Sequence, residues 1–316
     1  MSAAPAKRIP ARWPSDAPAL LAPAPAAEPA ADPFPMRGSV ISAPAERTRE
    51  KTVAEHVSAV QRVILLMRAR LEEPHTLEEL ARHAYLSPFH FNRVFRQVTG
   101  APPGRFLTAL RIHEAKRLLL ATPMSVTDVC MTVGYSSLGT FSTQFKSLVG
   151  VAPRQLRQLV LPRAEQPIAD ALGHSWSDPP SGTGASVMGT IGAVEADYVL
   201  VGLFPTAVAQ GTPVACTWVD APGLFRLDDV PCGTYSMLAC GFPNTATLFD
   251  VILAGPDGGV GIADEPVVVR SRCSIGPVHL RLGRRMETHP PILSALPLLF
   301  AVKGPLRDRV GASTLM

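Results

Sequence analysis

Thr76-Leu77-Glu78-Glu79-Leu80-Ala81 and, 49 residues later, Ser125-Val126-Thr127-Asp128-Val129-Cys130 open two stretches that read alike. Each begins with a hydroxyl residue that can cap a helix and carries an acid three residues on, the spacing of a capping box. After the first, Ser87-Pro88 restarts a helix, with serine at the cap and proline at the first helical position, where no N–H is needed. Phe91 and Phe95 follow on one helix face, and Gly100 stops the helix. Phe141, Phe145, Gly150 and Pro153 repeat Phe91, Phe95, Gly100 and Pro103 at an offset of 50. The pattern predicts two helix–turn–helix units, at about 77–98 and 126–148, joined by a longer helix from about Gly104 to Ala121.

Upstream, Val53, Val57, Val60, Ile64, Met67 and Leu71 recur every three or four residues, one apolar stripe of a helix that Pro74 ends. Before it, residues 1–45 hold 14 Ala and 10 Pro. Such a stretch buries no core, so residues 1–50 are expected to be a disordered tail, with either Met1 or Met36 as the start. Its prolines also break any apolar run of a secretory leader. The longest uncharged apolar run, Ile292–Val302, is too short for a membrane helix, so no membrane partner is expected. Five cysteines without a Cys-x-x-Cys argue against a disulfide framework and a zinc site, and fit a reducing cytoplasm.

Charge is uneven. Residues 57–158 carry 13 Lys/Arg against 6 Asp/Glu, whereas 180–316 carry 9 against 11. A basic segment that coincides with duplicated helix–turn–helix units points to a polyanion, double-stranded DNA first of all. Phe89, His90, Asn92, Arg93, Arg96 and Gln97 lie between the core residues of the first second-helix, where a major groove would meet them.

Residues 57–158 resemble the AraC/XylS-type DNA-binding domain. The likeness is carried by Leu77-x-x-Leu80-Ala81, Ser87-x-x-x-Phe91-x-x-x-Phe95-Arg96 and Phe106-Leu107-x-x-x-Arg111-x-x-x-Ala115. It continues through Val133-Gly134-Tyr135-Ser136-Ser137 and Phe141-x-x-x-Phe145-Lys146 to Gly150-x-x-Pro153. The resemblance implies two recognition helices held about one DNA turn apart, each in a successive major-groove segment, with the DNA bent to fit. It places Phe89, Asn92 and Arg93 at base-reading positions of the first unit and Leu138, Gly139, Ser142 and Thr143 at those of the second. Arg93 suits a guanine and Asn92 an adenine, whereas the second set suits methyl contacts or phosphate docking. Arg96, Lys146 and Arg154 are the expected phosphate contacts. Arg111, on the stripe of the central helix, is expected in a structural ion pair with Asp128 or Glu79. His90 and His113 are expected to serve packing or the surface.

Residues 161–186, with Pro179-Pro180-Ser181-Gly182, read as a linker, and 303–316 as a tail. Between them, 187–302 change character. Short β-rich runs at 198–203, 213–219, 233–238, 248–253, 267–270 and 278–282 alternate with Gly/Pro turns, the pattern of an all-β sandwich. Gly223–Tyr235 resembles a prealbumin-like repeat, which implies a seven-stranded sandwich without an activity. The expected architecture is therefore multidomain, an all-α DNA-binding domain at 51–160 followed by a β-sandwich.

The reading is a bacterial, nucleoid-associated transcriptional regulator and not an enzyme, with neither catalytic residues nor cofactor. Its β-part would bind a small effector, form a homodimer or contact RNA polymerase, and the sequence leaves these three open. Two alternatives are an architectural DNA binder of low specificity and a DNA alkyl-transferase using Cys232. Val230-Pro231-Cys232-Gly233 resembles the alkyl-transferase Pro-Cys, but Gly233 stands where those enzymes carry His, so Cys232 is expected to be a buried structural thiol.

Overall fold

The computed structural model describes residues 44–172, 185–192, 195–253, 259–263, 265–270, 274–295 and 298. The Ala/Pro-rich tail before residue 44, residues 173–184 of the expected linker, Cys273 and the 303–316 tail lie outside the described residues. No described helix is long and apolar enough to cross a membrane.

Seven helices follow the order read from the sequence. α1 (Pro44–Ala69) precedes α2 (Leu77–His83) and α3 (Pro88–Thr99); α4 (Pro103–Ala121) leads to α5 (Val126–Thr132), α6 (Leu138–Val149) and α7 (Pro153–Val160). The Thr76 capping box closes in both directions, with Glu79 N–H donating to Thr76 Oγ1 at 3.2 Å and Thr76 N–H to Glu79 Oε2 at 3.0 Å. Asp128 N–H likewise donates to Ser125 Oγ at 3.1 Å. The hydroxyl of Ser87, however, makes no cap bond; Pro88 at the first turn sets the start of α3 without it. The stripe of α1 buries only from Val60 onward, with Val53 half-exposed. Val60, Ile64 and Met67 pack with Leu80, Phe91 and Phe95. The Phe95 ring meets Phe91 and Phe106 edge-on, with centroids 5.4 Å apart in each case.

The turns of the two helix pairs need a left-handed residue at the same place, Tyr85 (φ 58°) in the first and Gly134 (φ 84°) in the second. Tyr85 is exposed, and its ring lies under Arg62 at 6.0 Å. Gly134 has no such freedom: a Cβ there would stand 2.7 Å from the Glu72 carbonyl oxygen. The second turn therefore abuts the segment after α1, where Arg111 acts too. Its Nε donates to Leu71 O and its Nη2 to Glu73 O, both at 2.8 Å. The expected ion pair of Arg111 is thus replaced: its guanidinium serves carbonyls beyond the end of α1, Asp128 accepts from the Ser125 hydroxyl at 2.7 Å, and Glu79 is held in its cap. A helix end leaves carbonyls without intrahelical donors, and a half-buried guanidinium satisfies them at close range. Arg157 of α7 does the same for α4, donating to Leu119 O at 2.8 Å and Met124 O at 2.7 Å.

The β-rich region forms two sheets. β1 (Ala185–Ile191), β4 (Gly223–Val230) and β8 (Ser274–Leu280) make one, ordered β4-β1-β8, with β1–β4 antiparallel and β1–β8 parallel. β2 (Tyr198–Phe204), β3 (Ala215–Asp220), β5 (Gly233–Phe242) and β6 (Val260–Ile262) make the other, ordered β3-β2-β5-β6, with β7 (Val267–Val269) also on β5. Phe225, Leu227 and Val187 of the first sheet meet Val199, Val201 and Met237 of the second. The described residues thus hold eight strands where the prealbumin likeness implied seven, and the region is not all-β. Leu248–Leu253, expected as a strand, is a helix, α9. Thr247 and Asp250 explain it: Asp250 N–H donates to Thr247 Oγ1 at 3.3 Å and Thr247 N–H to Asp250 Oδ2 at 2.9 Å, a capping box that overrides the β-prone side chains.

The two regions share a core. The side chains of β2 and β5 that point away from the sandwich interior, Leu200, Phe204, Leu238, Cys240 and Phe242, pack with Leu119, Phe145 and Leu156 of the helical part and with Ile252 of α9. Residues expected as the start of the linker join this core: α8 (Ile168–Leu172) buries Ile168, whose N–H donates to Ala246 O at 3.0 Å. Each large side chain so buried contributes about 1.5–3 kcal/mol. Lys116 of α4 is fully buried in this joint and donates from Nζ to Ile252 O at 2.8 Å and Ile292 O at 2.9 Å. Burial, with Arg285 nearby, lowers its pKa to about 7.

Two outcomes follow from these contacts. Arg111→Met should lower unfolding free energy by about 2 kcal/mol, and a double-mutant cycle with Asp128→Asn should give coupling below about 0.5 kcal/mol in urea titrations. A coupling well above that value would restore the ion pair. For Lys116, the folded pKa lies below the unfolded value of 10.5. Between pH 7 and that value the unfolded chain holds a proton the folded one lacks, so stability should rise with pH, by about 1 kcal/mol per unit from pH 7 to 9. Denaturant titrations should find this slope in the wild type and lose it in Lys116→Met.

Candidate nucleic-acid interface

α3 is divided sharply. Phe91, Val94 and Phe95 are buried, while Phe89, Asn92, Arg93, Arg96 and Gln97 stand in solvent. The inner positions recur at three- and four-residue spacing and anchor the helix, so the outer ones are carried on a rigid support. Phe89 is 84% exposed, an unusual position for a phenyl ring and one suited to an apolar contact with a partner. Its neighbour His90 is only partly exposed, stacks edge-on with His56 at 5.5 Å and keeps a buried Nε2 without a hydrogen-bond partner among the described residues.

α6 presents the second face. Ser137 caps it, accepting from Thr140 N–H at 3.4 Å. Phe141 and Phe145 are buried, while Leu138, Gly139, Thr143 and Lys146 are exposed and Ser142 is half-buried. Its fixed geometry comes from the preceding turn, where Tyr135 packs edge-on against Phe141 at 5.3 Å and donates its hydroxyl to Gln144 Oε1 at 2.5 Å. Burial pushes the Tyr135 pKa up to about 12, so the phenol stays a donor throughout the neutral range. The α6 surface offers a methyl-rich and small-residue face with one cation at its carboxyl end. Arg154 stands exposed in the first turn of α7.

The basic charge of this segment divides into two populations. Arg93, Arg96, Lys146 and Arg154 lie on the surface. Arg111, Lys116 and Arg157 are turned inward onto carbonyls, and Arg117 is held by Glu114 at 2.6 Å. Sequence reading counted Lys116 and Arg157 only as charge. A signal was present for Lys116, which sits four residues from both Ile112 and Leu120 on the inner face of α4. Cys232, expected to be buried, is an exposed thiol in the turn between β4 and β5. The turn places Cys232 outward because Tyr235 folds back beneath it, donating its hydroxyl to Pro231 O at 3.1 Å and Cys232 O at 3.3 Å.

Residues 80–159 match the family model of a helix-turn-helix domain. The chain is 34% identical over 94 residues to the HTH-type transcriptional regulator ArgR of Pseudomonas aeruginosa, a stretch that covers 30% of this chain and 29% of ArgR. It is 33% identical over 84 residues to AdaA of Bacillus subtilis, named a bifunctional transcriptional activator and DNA repair enzyme, covering 27% of this chain and 40% of AdaA. Among solved structures, it is similar to the DNA-binding domain of the global transcriptional factor AdpA in complex with a target DNA, at 31% identity and a TM-score of 0.33, covering 34% of this chain and 96% of that one. The chain thus spans less than half the length of these two curated relatives. The duplicated motifs and the sequence likeness to these regulators agree, and residues 80–159 form a helix-turn-helix domain similar to theirs.

Proposed function

We propose that the protein is a sequence-specific DNA-binding transcriptional regulator that acts by equilibrium binding in the bacterial cytoplasm. The observation that carries the proposal is the outer face of α3, where an exposed Phe89 lies among exposed Asn92, Arg93 and Arg96 over a fully buried aromatic support. That set can meet base edges with an amide and a guanidinium, a thymine methyl with a phenyl ring, and phosphate with a second guanidinium. The α6 face, with Leu138, Gly139, Ser142, Thr143 and Lys146, supports docking and methyl contact more than hydrogen-bonded readout, so specificity rests mainly on the first unit. An architectural binder of low specificity is the second reading, and the sparse α6 face is what favours it.

Because the helical and β-rich parts share a core, the β-rich region is read as a rigid extension that reports on α4, α6 and α7. Binding of full-length protein to DNA from upstream of its own gene, followed by fluorescence anisotropy across a salt series against a scrambled duplex, tests the proposal. A specific regulator should prefer its site by about a thousandfold or more at physiological salt. Equal and steeply salt-dependent binding to both duplexes would favour the architectural reading. Arg93→Ala should cost about 1–3 kcal/mol on the preferred site and relax one base position. Lys146→Ala should weaken binding to all sequences alike and reduce the salt slope by about one.

A further inference from the structure

A cleft of 520 Å³ opens where the end of α1, α4, α9 and the segment after β8 come together. Its wall carries Arg68, His113, Arg117, Arg284 and Arg285. Two carboxylates, Asp250 and Glu287, also line it. Asp250 is engaged as the cap of α9, accepting from Thr247 N–H at 2.9 Å and its hydroxyl at 2.7 Å, and Arg117 is held by Glu114. Arg68 and Arg284 are exposed and in no ion pair among the described residues. The cleft therefore keeps an excess of positive charge. Phe249, Leu253 and Met286 give it an apolar side. Its size suits one small molecule.

His113 registers this field. Burial first, then Lys116, Arg285, Arg68 and Arg117, lowers its pKa to about 3. The imidazole is thus neutral at physiological pH, and its Nδ1 is buried without a hydrogen-bond partner among the described residues. Cations gathered at a part-apolar cavity, beside an unsatisfied buried polar atom, form an arrangement that an anion relieves on both counts. None of these groups is used on the DNA-reading faces of α3 and α6.

We propose that this cleft binds a small organic polyanion, a dicarboxylate or a phosphate ester with an apolar body, held by Arg68, Arg284 and Arg285 with His113 hydrogen-bonding to it. The proposal supplies the effector class of the regulator read above, and rests on that reading for its purpose and not for the binding. The ligand would touch α4, the helix that joins the two helix pairs, one turn or less from Lys116, which ties α4 to the carbonyls of Ile252 and Ile292. Binding to the folded state alone raises its stability by mass action.

The test uses the full chain at fixed ionic strength, with phthalate and phenyl phosphate as probes and sodium chloride and putrescine as controls. Thermal unfolding and calorimetric titration should show saturable binding and a raised Tm with at least one dianion, and the arm that binds more tightly tells a carboxylate source from a phosphate one. The double variant R68Q/R284Q changes two exposed side chains. It should keep the wild-type circular dichroism and DNA affinity while binding the dianion about tenfold or more weakly. Neither dianion raising Tm beyond chloride, or unchanged binding by R68Q/R284Q, would overturn the proposal. Loss of DNA affinity in that variant would also overturn it, by making the cleft a phosphate contact for DNA. Wild-type protein that binds a dianion but no promoter DNA would remove the regulator reading and leave the cleft standing. Specific DNA binding without any dianion binding would do the reverse.

Discussion

The five-stranded sheet has two apolar faces, and the structure depends on covering both. One face closes against the three-stranded sheet, with Val199, Val201 and Met237 meeting Phe225 and Leu227. The other, with Leu200, Phe204, Leu238 and Phe242, would lie in water if the β-rich region stood alone. α4, α6 and α7 cover it together with α8 and α9, so the second helix–turn–helix unit is built into the β-rich region. The first unit has a core of its own, centred on Phe91, Phe95 and Phe106. The two helix–turn–helix units are thus unequal: one is held mainly by helices, the other also by a sheet.

Basic side chains knit this arrangement at helix ends. Arg111 serves carbonyls after α1, Arg157 those at the end of α4, and Lys116 one in α9. Carbonyls at a helix end lack intrahelical donors and carry partial negative charge, so a cation placed there is satisfied without an acidic partner. This is why the ion pair expected for Arg111 is absent, and why the segment's formal charge overstates the charge on its surface. The contrast between the two helix pairs has the same root. Arg111 and Gly134 both press on residues 71–73, which leaves no room for a side chain at the second turn, while Tyr85 in the first turn is free to face solvent.

The helical half was legible because its signals are local. Capping boxes at Thr76 and Ser125, paired phenylalanines four apart and stop glycines each act within one or two turns, and they recur at a fixed offset. The exposed faces of α3 and α6 follow from the same periodicity. Where the reading failed, the deciding contact was distant or a local signal was passed over. Leu248–Leu253 looks β-prone by composition, yet Thr247 and Asp250 start a helix by the same chemistry read correctly at Thr76. The exposure of Cys232 depends on Tyr235 folding back beneath its turn. β2 and β5 are nearly continuous apolar runs, the pattern of strands buried on both faces, and that pattern already called for a second covering layer.

The sequence by itself determined the element types of the helical part, the duplication, the two candidate DNA-reading faces and the presence of a β-rich region. Those rest on spacing, caps and alternation, which are properties of short stretches. Only the tertiary structure decided which cations are turned inward, that the helical and β-rich parts share one core, and that Arg68, His113, Arg284 and Arg285 converge on one cleft. The physical reason is range. A hydrogen bond from Lys116 to Ile292, or the approach of α1 to the segment after β8, joins residues far apart in the chain, and no local periodicity encodes such a meeting.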